Sequence, residues 1–178
     1  MKGPLSASLL TTLLTLCLLG SVAAGDDKKK DGKSHLDFSG TWQLDRAKSD
    51  FGEWSDKPLS KADATLVITH GDPELKMKRT LSLNGQEEVK EFTYYTDERG
   101  ETNPATLGVG EVKSKTKWEG DKVVSVAHIT RKGQSGPYDL DVTQKWQVSS
   151  DGKTLTNTTN ISGQLGAQQV KLVYHRAG

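Results

Sequence analysis

From Phe38 to the last residues, apolar and polar side chains alternate with a period close to two, and turn chemistry interrupts the alternation repeatedly. Successive side chains of a β-strand point to opposite faces, so the pattern commits the chain to a series of half-buried strands and leaves little room for helix. Residues 138–148 show it most plainly: Tyr138, Leu140, Val142, Trp146 and Val148 share one face, and Asp139, Asp141, Thr143, Lys145 and Gln147 the other. Residues 109–118 set Val112, Ser114, Thr116 and Trp118 against Glu111, Lys113, Lys115 and Lys117. Over 38–44, Phe38, Gly40, Trp42 and Leu44 lie together. Over 74–83, Leu75, Met77, Leu81 and Leu83 do so, with Arg79 as the exception, and 122–131 is apolar on both faces.

The punctuation between these runs is that of hairpins. Asn84-Gly85 stands between two alternating segments, and both residues accept the positive φ of a type I′ turn. Further turns fall at Gly71-Asp72-Pro73 and over 97–100, 119–121 and 150–153. A change of apolar parity between Val89 and Phe92 predicts a bulge. The stretch 45–63 is a polar linker in which Ser49 or Asp50 can cap one helical turn carrying Phe51 and Trp54, and Pro58 stops anything longer. Residues 101–108 and 132–137 read as loops. Nine strands in a meander leave two edges, and closing the sheet removes them. The fold class is therefore all-β, an antiparallel up-and-down meander barrel of about eight to ten strands. An apolar content of only 33% suits a hollow or partly polar interior, although a thin sandwich accounts for it equally well.

Ahead of the strands, residues 1–24 read as a signal peptide: Met1-Lys2 is a short basic start, 9–19 an apolar run, and Val22-Ala23-Ala24 a small-residue cleavage site. The run is shorter than the roughly 20 residues a membrane span needs. Cleavage near Ala24 sends the protein to a secreted or periplasmic location. Anchoring through Cys17 is disfavoured because Leu16 stands where a small residue is needed. Residues 25–36 form a charged, flexible leader, and 37–178 one barrel domain. Cleavage removes one of 24 basic residues, leaving 23 against 23 acidic. That balance argues against nucleic acid or an anionic membrane as a principal partner. The mature chain has no cysteine and reads as a monomer held together by burial.

Phe38-Ser39-Gly40-Thr41-Trp42 at the head of such a meander resembles the first strand of calycins, the lipocalins and fatty-acid-binding proteins, with their G-x-W. The stretch FSGTWQLDRAKSDF is also similar to small exported bacterial proteins of this fold. The resemblance implies that Trp42 plugs the closed end of the barrel and that Arg176, near the C-terminus, packs across it, with Gly40 completing the closure. Lys117 to Lys122 and Lys171-Leu172-Val173-Tyr174 are similar to the fatty-acid-binding pattern of a turn after tryptophan and a last strand ending in tyrosine. Two departures stand out. The family's R-x-Y for a ligand carboxylate is met by Tyr174 but has Leu172 at the arginine position, and the linker is short for a two-helix lid.

Parity directs Ser114, Thr116, Trp118, Tyr138, Trp146, Asn157, Thr159 and Tyr174 into the barrel. Aromatic walls with a few hydroxyl and amide groups suit a small-molecule cavity, and they equally suit a filled lumen bonded to itself. His35, His70, His128 and His175 have no metal-ligand spacing, no serine sits in G-x-S-x-G, and Asp139 with Asp141 lies on the polar face; no metal, cofactor or catalytic residue is implied. Asn157 and Asn160 each head a glycosylation pattern. The expected function is that of an exported lipocalin-like binding protein, not an enzyme, holding a small apolar or amphipathic molecule. The alternative is an interaction or inhibitor module with a filled barrel, acting through its loops.

Overall fold

A computed structural model describes residues 35–106, 110–133, 136–164 and 166–178. The expected signal peptide, Cys17 and nearly all of the leader lie outside the described residues. Ten strands are found among those described: β1 (Gly40–Leu44), β2 (Asp63–Gly71), β3 (Glu74–Leu83), β4 (Gln86–Tyr95), β5 (Glu101–Pro104), β6 (Glu111–Glu119), β7 (Lys122–Gly133), β8 (Gly136–Val148), β9 (Thr154–Gly163) and β10 (Gly166–Arg176). The strand order is β4-β3-β2-β1-β10-β9-β8-β7-β6-β5. All pairings are antiparallel. The one pair not consecutive in sequence is β1 with β10, through Trp42↔Arg176, Gln43↔His175 and Leu44↔Tyr174. The last strand thus meets the first, and the meander becomes a nearly closed barrel.

β4 and β5 stand at the two ends of that order, and no ladder joins them among the described residues. Side chains close the seam instead. The Asn103 amide imitates a backbone peptide: its Oδ1 accepts from the Thr93 N–H at 2.7 Å and its Nδ2 donates to the Thr93 carbonyl at 2.8 Å. Glu101 Oε2 accepts from the Tyr95 N–H at 3.3 Å, and Lys90 Nζ donates to the Ala105 carbonyl at 3.0 Å. This is why 101–104 reads as loop in the sequence and is a strand in the structure. Its inward residues, Glu101 and Asn103, are polar because they bond across the seam rather than pack.

Other boundaries also move. β7 and β8 run on through Lys132↔Pro137 to Gly133↔Gly136, taking up most of the loop expected over 132–137. No bulge interrupts β4: Thr80↔Val89 and Met77↔Phe92 belong to one unbroken register. Val89 simply faces out, 48% exposed. The inward positions beside it are the polar Glu88 and Lys90, and their polarity produced the change of parity. The 45–63 linker holds three short turns rather than one: 3₁₀ turns at Arg46–Lys48 and Gly52–Trp54, then α1 (Pro58–Lys61), which begins at Pro58, the first-turn place where the missing N–H costs nothing. Trp54 and Leu59 are buried from this linker into the barrel core. His35 and Leu36 are already packed, His35 on Trp118 and Leu36 against the core.

The end of the barrel where β1 begins is sealed by Trp42. Its ring is wholly buried, and Nε1 donates to the Phe38 carbonyl at 3.0 Å. The Arg176 guanidinium lies 4.2 Å above the ring centroid. Its Nη1 and Nε reach the carbonyls of Ser39 at 2.6 Å and Gly152 at 2.7 Å. Gly40 has φ +133, and a Cβ there would run into the guanidinium. Gly-x-Trp on β1 and Arg on β10 are thus one stacked unit, and the pair joins the two strands that close the ring.

Arg176→Met should lower the unfolding free energy by about 2–4 kcal/mol, the sum of a desolvated cation–π contact and hydrogen bonds to a charged donor. Urea unfolding read by tryptophan fluorescence measures it, and a loss below about 0.5 kcal/mol would place the arginine with ordinary surface residues. Asn103→Ala should cost about 1–3 kcal/mol by leaving both Thr93 groups unpaired; hydrogen exchange at the Thr93 amide should quicken well beyond that of its neighbours on β4.

Candidate ligand-binding site

Inside the barrel lies a cavity of about 240 Å³ with mainly apolar walls. Phe92 from β4, Val112 from β6, Ala127 and Ile129 from β7, and Val142 from β8 contribute to that surface, and Trp54 lines it from the linker. Each is an inward position of a period-two strand, so the wall follows directly from the alternation. A second, smaller chamber of about 30 Å³ adjoins it and shares Trp54, Phe92, Tyr94, Thr106, Gln144 and Thr159 as walls. Its remaining lining differs in character, with Arg79, Trp146, Asn157 and Tyr174 among apolar residues.

The residues expected to line a cavity divide into three groups. Trp146, Asn157, Thr159 and Tyr174 do surround the inner chamber, and Ser114 lines the larger one. Ser114 and Thr116, however, are committed to structure: both hydroxyls donate to Glu101 Oε1, at 2.6 and 2.7 Å. Thr116 touches neither chamber. Trp118 is not in the cavity either. It lies at the sealed end, where its Nε1 donates to Asp72 Oδ1 at 2.9 Å, and His35 stacks on its ring at 3.8 Å. Tyr138 has the right parity but sits near the opposite end, partly exposed beside Gly133, and lines neither chamber. Parity selects a face; it does not select a height along the barrel axis, and these two aromatic residues sit too low and too high.

Trp54, Arg79, Phe92, Tyr94 and Gln144 were not among the expected lining residues. For Arg79 the sequence carried a signal, a charge in the middle of an apolar face. It is 4% exposed, and its guanidinium lies 5.5 Å from the Phe92 centroid. Nη2 donates to the Thr106 carbonyl at 2.8 Å, and the nearest carboxylate oxygen, Glu88 Oε1, is 3.8 Å away. Burial pushes its pKa below the usual arginine range, opposed by Tyr174 and Glu88. Burial likewise pushes the Tyr94 and Tyr174 phenols above theirs, leaving both neutral donors at any ordinary pH. Arg79 on β3 therefore places a positive charge in the chamber that Tyr174 and Leu172 also line.

Outside the barrel, Asp139 and Asp141 flank His128, whose Nδ1 is 2.9 Å from Asp141 Oδ1. The hydrogen bond to Asp141 raises the imidazole pKa on this exposed strand surface. Among the described residues no cluster of three His, Cys, Asp or Glu side chains is placed to hold a metal ion. Asn157 is 2% exposed and faces inward, which withdraws its glycosylation pattern from the surface of the folded protein. Asn160 faces outward, with its Oδ1 accepting from Gln169 Nε2 at 2.7 Å.

No protein-family model and no curated protein matches the chain. Solved structures do. Lipid binding protein 8 of Caenorhabditis elegans superposes with a TM-score of 0.54 at 13% identity, covering 79% of this chain and 95% of its own. A fatty-acid-binding protein of Drosophila melanogaster brain tissue gives 0.53 at 20%, covering 78% and 99%. Zebrafish ileal bile-acid-binding protein, solved with cholic acid, gives 0.53 at 15%, covering 79% and 98%. At these identities the likeness is one of fold: the chain has the calycin-like barrel fold of these neighbours. No helix among the described residues is long and apolar enough to cross a membrane.

The two buried phenols predict an alkaline limit to stability. A tyrosine whose pKa is higher folded than unfolded contributes stability that is whole below the unfolded value, near 10, and is lost as pH rises above it. With two such groups the unfolding free energy should fall by about 2.7 kcal/mol per pH unit above pH 10. In the Tyr94→Phe, Tyr174→Phe double variant that slope should be largely gone. Urea titrations between pH 9 and about 11.5, spanning that unfolded value, decide it, and an unchanged slope in the variant would refute the assignment.

Proposed function

We propose that this chain is an exported binding protein that carries a small apolar or amphipathic molecule inside its barrel. The observation that carries the reading is the mainly apolar cavity of about 240 Å³, lined by inward positions of β4, β6, β7 and β8 together with Trp54. Apolar walls that face a lumen rather than one another offer their dispersion contacts to a guest. Several structural neighbours bear names of small-molecule binders, lipid, fatty-acid and bile-acid, which supports binding rather than catalysis. The leading run with its Val22-Ala23-Ala24 site supports export. The cavity lies somewhat below the roughly 300–1,000 Å³ of ordinary ligand pockets, which favours a compact guest.

The test is uptake of the neutral fluorophore N-phenyl-1-naphthylamine by the purified protein. Saturable binding is expected, with energy transfer from the protein's tryptophans, among which Trp54 and Trp146 line the two chambers. Ala127→Phe, which fills the larger chamber, should weaken uptake at least about tenfold while costing no more than the roughly 1–3 kcal/mol of an overpacked core. Absence of saturable uptake by the folded protein would overturn the reading, as would equal uptake by the filled variant.

A further inference from the structure

We propose that Asn84 is a site of spontaneous covalent modification: the Gly85 amide nitrogen displaces its side-chain nitrogen as ammonia, and the isoaspartate that results loosens the start of β4, residues 86–89. The inference is independent of what the barrel carries.

The chain has four asparagines, and the structure withdraws three of them. Asn103 precedes Pro104, whose nitrogen bears no hydrogen, and its amide is bonded in both directions to Thr93. Asn157 is 2% exposed, with its Oδ1 taken by Thr159 Oγ1. Asn160 lies within β9, paired to β8 and β10 on either side. Its Oδ1 accepts from Gln169, and the residue after it is the β-branched Ile161. Asn84 has none of these protections. It is exposed, stands outside both strands of its hairpin, and its carboxamide makes no hydrogen bond among the described residues. The Gly85 N–H is equally free. No side chain shields that nitrogen, and even a Cβ on Gly85 would find nothing within 4 Å.

The chemistry needs only water. Gly85 N gives up its proton as it bonds to Asn84 Cγ, and the side-chain nitrogen leaves with a proton as ammonia, closing a five-membered imide. Water then adds to one of the two imide carbonyls and breaks that carbon's bond to nitrogen. Opening at Cγ leaves aspartate. Opening at the former main-chain carbonyl leaves isoaspartate, in which the chain runs through Cβ and Cγ and is longer by one methylene group.

For β4 the two products differ. Asp-Gly suits a type I′ turn as Asn-Gly does, whereas an added methylene breaks the two-residue geometry that sets Leu83 opposite Gln86. Little else holds this stretch. The other edge of β4 has no ladder among the described residues, and the first side-chain tie across the seam is from Lys90 to Ala105. Residues 86–89 are all exposed.

The experiment is incubation of the folded wild-type protein at mildly alkaline pH, followed by tryptic digestion and mass spectrometry. Cleavage after Arg79 and Lys90 isolates residues 80–90. That peptide should gain one dalton several-fold faster than any other asparagine peptide, at a rate that rises with pH, and should split into aspartate and isoaspartate forms told apart by electron-transfer fragmentation. Amide exchange over 86–89 should be several-fold faster in the aged protein than in the fresh one. In the Asn84→Asp variant, which carries the new charge without the methylene, it should match fresh wild type. An unchanged peptide mass in the folded protein overturns the proposal, whether or not the urea-unfolded chain reacts, since the turn would then protect Asn84. Faster gain at another asparagine overturns it as well. Unchanged exchange in protein shown to carry isoaspartate refutes the loosening of β4, and equal quickening in Asn84→Asp would assign it to charge rather than to chain length.

Discussion

The pairing of β1 with β10 is the constraint on which the rest depends. Hairpins joined by tight turns make a ribbon, and a ribbon has no inside. Once Trp42 lies opposite Arg176, every strand acquires an inner face, and the period-two alternation becomes a distinction between lumen and solvent. The guanidinium that spans the tryptophan ring also ties the carbonyls of Ser39 and Gly152 to the last strand. One residue thus holds the beginning, the β8–β9 turn and the end of the chain together.

That seam shows how the barrel closes without an edge-to-edge ladder. Asn103, Glu101 and Lys90 supply donors and acceptors where backbone groups of β4 and β5 stand too far apart to pair. The arrangement consumes polar residues that would otherwise be read as site residues. Ser114 and Thr116 spend their hydroxyls on Glu101 and so hold the wall. Among the described residues the buried side-chain atoms left without partners are Arg79 Nε, Trp146 Nε1 and Asn157 Nδ2, and they stand out against that background of satisfied neighbours.

Much of the fold was legible because sheet geometry writes itself into local sequence. Asn84 and Gly85 both take positive φ, as the hairpin required. Leu140, Val142, Trp146 and Val148 face inward as their alternation implied. The site was less legible. Glu101 and Asn103 broke the pattern of a strand because their task is to bond, and β5 vanished into a loop. Val89 suggested a bulge because Glu88 and Lys90 are polar for the sake of Arg79 and Ala105. Trp54 gave no sign that a linker residue would roof the cavity.

By itself the sequence determined the strands other than β5, most turns, and the inward set of side chains, since these follow from backbone periodicity and from residues that accept unusual φ. Only the tertiary structure decided which inward residues share a space. Trp118 and Tyr138 have the parity of cavity residues and lie at opposite ends, whereas Arg79 and Tyr174, far apart in the chain, line one chamber. Height along the axis and position around the ring depend on strand register and closure. Those are sums over every pairing in the sheet, and no single segment encodes them.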